Sequence, residues 1–133
     1  MLLSKRHVAP RVLLIEDTED TRELSRMALE SQACDVAAVS SAEAALGLLL
    51  AGERFDLVFT DVCLGGLSGI EAAERIKAFQ PSLPVLVTSG LDPADVTAQL
   101  RPGIHFLPKP YSMSELLDAI RACFGAMETD QAA

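Results

Sequence analysis

The chain has 133 residues, half of them apolar and 23% charged, which suits one domain with a full core and is too short for two ordinary ones. Its formal net charge of −8 argues against a surface for nucleic acid or anionic membrane, because both need a basic patch and no segment carries one. No stretch has the pattern of a signal peptide or a membrane span, and Cys34, Cys63 and Cys123, odd in number and without metal-ligand spacing, read as reduced thiols of a cytosolic (cytoplasmic) protein.

Residues 1–9 read as a flexible tail. The run Val12-Leu13-Leu14-Ile15 reads as a first strand and stops at Glu16 and Asp17. A helix follows near 19–32, marked by Leu24, Met27 and Ala28, and a second apolar run lies near 35–39. Ala42, Ala45, Leu46, Leu49 and Leu50 then fall on one helical face. Ser40 and Glu43 fit a capping box at its start, and Gly52 fits its end. The third strand, Leu57-Val58-Phe59-Thr60, stops at Asp61. Ser68 and Glu71 open a third helix through Ile70, Ala73, Ile76 and Phe79. Val85-Leu86-Val87 leads to Thr88, and Asp92-Pro93 starts a short helix that Arg101-Pro102-Gly103 must break. Ile104-His105-Phe106-Leu107 is the fifth strand and leads to Lys109. Within it, His105 reads as structure rather than as a phosphocarrier. Ser112 and Glu115 open the last helix, striped by Met113, Leu116, Leu117, Ile120, Cys123 and Phe124, and 127–133 reads as a second flexible tail.

Five strands alternating with five helices predict an α/β domain over 10–126, a doubly wound parallel sheet covered on both faces. Sites in such sheets form outside the carboxyl ends of the strands. That rule gathers Glu16, Asp17, Asp61, Thr88 and Lys109 on one rim. Carboxylates that close repel one another unless a cation intervenes, and Mg²⁺ suits a site of few carboxylates, several waters and a phosphate oxygen, with Mn²⁺ as an alternative. Asp61 is the candidate nucleophile, since a carboxylate attacks phosphorus to give an acyl phosphate. Phosphoryl transfer is mostly positioning and charge neutralisation. The Lys109 ammonium and the Thr88 hydroxyl would meet two of the phosphoryl oxygens.

Leu14-Ile15-Glu16-Asp17, Thr60-Asp61 with Gly69 eight residues later, Leu86-Val87-Thr88-Ser89 and Lys109-Pro110-Tyr111 together resemble the receiver domain of two-component response regulators. The resemblance implies the strand order 2-1-3-4-5 (the flavodoxin-like, receiver fold). It implies that Asp61 accepts a phosphoryl group from a phosphohistidine on a histidine kinase or a histidine phosphotransfer protein. It implies that Asp17, Asp61 and the backbone carbonyl of Cys63 ligate the metal, with Glu16 acting partly through water. Thr88 becomes a switch hydroxyl and Phe106 a switch aromatic, and Lys109-Pro110 is expected to be a cis peptide. Leu64-Gly65-Gly66 departs from the common pattern and gives the following loop more freedom. Gly90 cannot orient a water for hydrolysis and Cys63 does so poorly, so the phosphate is expected to leave slowly.

The expectation is therefore a single-domain, stand-alone switch that changes its binding to a downstream protein, with no nucleic-acid or membrane partner and with room for a weak homodimer. It assists only its own phosphorylation and dephosphorylation, so it is not expected to be an enzyme. The alternatives are a phosphorelay intermediate, a receiver detached from a hybrid histidine kinase, and a metal-dependent aspartyl phosphatase. The last usually carries a second Asp two residues after the nucleophile, where this chain has Cys63.

Overall fold

A computed structural model describes residues 9–62 and 68–132, with side chains to residue 124. Five strands alternate with five helices: β1 (Arg11–Ile15), α1 (Glu19–Glu30), β2 (Asp35–Val39), α2 (Ala42–Leu50), β3 (Leu57–Asp61), α3 (Gly69–Phe79), β4 (Val85–Ser89), α4 (Pro93–Thr97), β5 (Ile104–Pro108) and α5 (Met113–Ala132). All pairings are parallel, in the order β2-β1-β3-β4-β5. Each strand proposed from the sequence is present, and the fold class and order agree with the expectation. No helix among the described residues is long and apolar enough to cross a membrane.

The alternation of side chains along each strand builds two cores. Leu13, Ile15, Val58, Val85 and Val87 face α2, α3 and α4, where they meet Ala45, Leu49, Ala73, Ile76 and Val96. Val12, Leu14, Leu57, Phe59 and Leu86 face the other way, onto Leu29 of α1 and Leu116, Ile120 and Phe124 of α5. β3 and β4 are buried along their whole length, which is why they read as unbroken aliphatic runs. Each such side chain contributes about 1.5–3 kcal/mol by leaving water.

The helix starts follow side-chain chemistry. Ser112 and Glu115 form a reciprocal box: Glu115 N donates to Ser112 Oγ (3.1 Å) and Ser112 N to Glu115 Oε1 (3.0 Å). Ser68 Oγ accepts from Glu71 N at 3.1 Å. Asp92 Oδ1 accepts from Ala94 N at 3.0 Å, ahead of the short α4. For α2 the cap is Ser41, not Ser40: Ser41 is extended and its Oγ accepts from Ala44 N at 3.1 Å. Two adjacent serines offer two cap registers, and the one that buries Ala42, Ala45 and Leu49 is adopted.

The apolar residues that marked α1 divide. Leu24 and Met27 are 67% and 56% exposed, whereas Leu29 is fully buried and Ala28 packs beside it against the core. The backbone of α5 is helical to Ala132.

α1 closes through Ala33, whose φ of 63° is the left-handed conformation. Ala33 N bonds Glu30 O at 3.0 Å, and Cys34 N bonds Leu29 O at 3.3 Å. A Cβ there costs roughly 1–2 kcal/mol, which glycine avoids. Ala33→Gly is expected to raise unfolding stability by about 1 kcal/mol after the added freedom of the unfolded chain is offset. A urea titration showing a higher midpoint at unchanged slope checks this.

Candidate functional site

Parallel register levels the strand ends. Ile15 pairs with Thr60, Asp61 with Thr88, and Thr88 with Leu107, so Glu16, Asp61 and Thr88 lie side by side across β1, β3 and β4. The order reverses between β1 and β3, which opens a crevice above them. Lys109 follows β5, and its backbone N donates to Ser89 O at 2.8 Å, holding the loop against β4.

Asp61 ends β3 and is 8% exposed. The Lys109 ammonium donates to Asp61 Oδ2, joining residues 48 apart in sequence. The pair is part-buried, with the Lys109 side chain 33% exposed, and removing Lys109 would leave the nearly buried Asp61 charge without this partner. Burial by itself would lower the Lys109 pKa. The hydrogen bond and charge of Asp61, aided by the charge of Glu16, outweigh it and hold the pKa above the ordinary value of 10.5. Lys109 is thus an ammonium throughout the neutral range.

Glu16 is 6% exposed. Burial pushes its carboxyl above the ordinary value of 4.5, and the charge of Asp61 and the side chain of Asp17 push the same way. Thr18 N and Lys109 oppose the shift without cancelling it. The turn is fixed from three sides: Thr18 N donates to Glu16 Oε1 (3.1 Å), Arg22 Nη1 to Glu16 O (3.0 Å), and Glu16 N to Val39 O (3.1 Å). Asp17 is exposed beside it, with Thr18 Oγ1 3.5 Å from its Oδ1.

Thr88 is buried, and its Oγ1 donates to Leu107 O at 2.7 Å, toward β5. Phe106, the residue before Leu107, is half-buried against the core on the α3 side. The Lys109-Pro110 peptide is cis. Cys63 and Leu64-Gly65-Gly66 lie outside the described residues.

A small cleft, with room for about one water, sits over these groups. Glu16, Asp61, Thr88 and Lys109 line it, and Asp17 does not. Thr21, Ser25 and Tyr111 complete the wall, and the sequence analysis gave none of them a role. The Tyr111 ring meets Phe59 edge-on at 6.3 Å and 61°. Burial raises its phenol pKa, opposed by a hydrogen bond with Ser25. The sequence signal for Tyr111 was its place two residues after Lys109. Ser25 and Thr21 gave none, being polar positions on a surface helix. A wider, open groove of about 690 Å³ adjoins, between α1 and the loop after β5, lined by Thr21, Leu24, Ser25, Gly90, Lys109 and Tyr111 among others.

No group of three or more His, Cys, Asp or Glu among the described residues forms a ready cage for a metal ion. Buried Glu16 next to Asp61, with Asp17 alongside, is instead a set of hard oxygen donors with excess negative charge. That set fits Mg²⁺, which keeps several waters and takes only one or two carboxylates.

The family model described as response regulator receiver domain matches residues 12–121. The response regulator protein FleR of Pseudomonas aeruginosa is 36% identical over 115 residues, covering 85% of this chain and 24% of FleR. Response regulator MprA of Mycolicibacterium vanbaalenii is 31% identical over 125 residues, covering 92% of this chain and 54% of MprA. The chain thus spans between a quarter and about half the length of these curated relatives. A response regulator receiver protein from Sinorhizobium medicae superposes with a TM-score of 0.82 at 25% identity, over 90% of this chain and 97% of that one. The signal receiver domain of an HD domain-containing protein from Pseudomonas fluorescens gives 0.81 at 25% identity, over 91% and 98%. With the strand order, the levelled acids and the matched span in agreement, this chain belongs to the response regulator receiver domain family.

Proposed function

We propose that this receiver domain takes a phosphoryl group on the Asp61 carboxylate from a phosphohistidine, carried by a histidine kinase or a histidine phosphotransfer protein, and then changes its binding to a downstream protein. The observation that carries the proposal is the Lys109 ammonium seated on Asp61 in a cleft shared with Glu16 and Thr88.

A carboxylate oxygen of Asp61 forms the new bond to phosphorus as the nitrogen–phosphorus bond of the donor breaks. The imidazole leaves with the bonding pair and takes a proton. Lys109 neutralises part of the charge spread over the equatorial oxygens. One ammonium cannot balance Asp61, Asp17 and Glu16 together with a phosphoryl group. A Mg²⁺ held by Asp17, Asp61 and the Cys63 carbonyl, with Glu16 partly through water, would supply the missing positive charge.

Thr88 reads as the switch. Its hydroxyl now donates to Leu107 O. A neutral hydrogen bond contributes about 0.5–1.5 kcal/mol net, and one to a charged oxygen about 1.5–3. Moving the hydroxyl to a phosphoryl oxygen therefore favours the change by about 1 kcal/mol. Inverting a 1:99 population needs roughly 5.5 kcal/mol. The remainder must come from elsewhere, and the repacking of half-buried Phe106 into the space Thr88 leaves is the adjacent source.

Incubation with a small phosphodonor and Mg²⁺, followed by intact mass, should add one phosphate to the wild type and none to Asp61→Asn. A phosphate on the Asn variant would place the acceptor elsewhere. Thr88→Ala should still take phosphate yet lose the phosphate-dependent change in partner binding.

Glu16 supplies a test of the cation. Its pKa is higher in the folded protein than its ordinary value, so the folded state holds the proton more tightly than the unfolded chain does. Stability contributed by this group is present at low pH. It is lost as pH rises from the ordinary value through the raised one, and at neutral pH ionised Glu16 is a cost. Glu16→Gln should melt roughly 2–5 °C higher than wild type at pH 7 without divalent cation. Added Mg²⁺ should narrow or reverse that gap by stabilising the wild type more than the variant. Equal stabilisation of both proteins by Mg²⁺ would remove Glu16 from the cation site.

A further inference from the structure

We infer that Gly69 is a positioning residue for the phosphoacceptor, because the first residue of α3 is packed against the backbone of Asp61 and Val62 too closely for any side chain. The inference rests on Asp61 being the acceptor. A Cβ built on Gly69 would stand 1.9 Å from the Asp61 carbonyl oxygen, 2.7 Å from its carbonyl carbon and 2.7 Å from Val62 Cα. Those atoms are main chain and cannot swing aside as a side-chain tip can. Ordinary contact lies near 3.5–4.0 Å, so the groups must part by roughly 1–2 Å. Gly69 N also donates to Val62 O at 2.8 Å, which fixes the approach.

Conformation is not the reason for the glycine. Gly52 and Gly103 have φ of +93° and +90°, whereas Gly69 lies outside the left-handed region. Alanine at the start of a helix would be acceptable on propensity. Space alone forbids it. Nor can α3 retreat freely, since Ala72, Ala73 and Ile76 behind Gly69 are fully buried. Meanwhile Asp61 is tied at its side chain to Lys109 and through its backbone carbonyl to Thr60 Oγ1 at 3.0 Å. A Cβ at position 69 therefore moves the last peptide of β3 relative to Lys109 and Glu16.

The test compares wild type, Gly69→Ala, Gly47→Ala and Ile76→Val in phosphorylation by acetyl phosphate with Mg²⁺, read by intact mass at varied donor concentration. Position 47 has open space for a Cβ and is the control for adding a methyl. Ile76→Val loosens α3 from its core side and is the control for lost stability. Gly69→Ala should lower the maximal rate about 100-fold, as a displacement near 1 Å at a reacting group does, with the half-saturating donor concentration unchanged. Gly47→Ala and Ile76→Val should keep the wild-type maximal rate. A wild-type rate in Gly69→Ala overturns the inference, and so does an equal slowing in Ile76→Val. Failure of Gly69→Ala to fold, even combined with Ala33→Gly, also overturns it, by making Gly69 a requirement for folding rather than for placement. A wild type that takes no phosphate ends the functional proposal instead. In that event the carbonyl ¹³C shift of Asp61 decides the placement: a shift unchanged between wild type and Gly69→Ala overturns it.

Discussion

The ion pair between Asp61 and Lys109 is the interaction on which the site depends. Parallel register puts three acidic residues at the ends of β1 and β3, and the Lys109 ammonium reaches Asp61 among them. Without Lys109, Asp61 would sit nearly buried beside Glu16 and lose the ammonium that offsets its charge. With it, Glu16 still has a raised pKa, chiefly because it is buried and secondarily because Asp61 is charged beside it. On the proposed function, such a pocket would take a hard cation and then an anion that shares it.

The architecture was legible because its signals are redundant. β1, β3 and β4 are apolar on both faces, and the helices after β3 and β4 each have their own start signal. Strand ends in an α/β sheet are also where chemistry collects, so Asp61, Thr88 and Lys109 could be placed without coordinates. Legibility failed where two solutions differ by little. Ser40 and Ser41 both cap α2 in principle, and burial of the following turn decides between them. Leu24 and Met27 fit a helical stripe by spacing, but α1 meets the core through Leu29 and Ala28, and an apolar residue on a surface helix is not by itself buried.

The site shows the same division. Residues that carry charge announce themselves by type and place. Those that shape the pocket do not. Ser25 and Thr21 are ordinary polar residues of α1 until the fold brings them beside Tyr111. Gly69 was visible as a spaced glycine, yet the reason for it lies in a peptide carbonyl eight residues earlier, and no side-chain pattern encodes a backbone approach. Arg22 likewise acts on the main chain of Glu16, six residues back, holding the acid turn by its carbonyl.

Tyr111 has one more consequence. The chain contains a single Tyr and no Trp, so its tyrosine emission originates from one ring, in the wall between the cleft and the adjoining groove. The protein carries its own label-free optical probe, placed where a phosphodonor would dock and where charge would change.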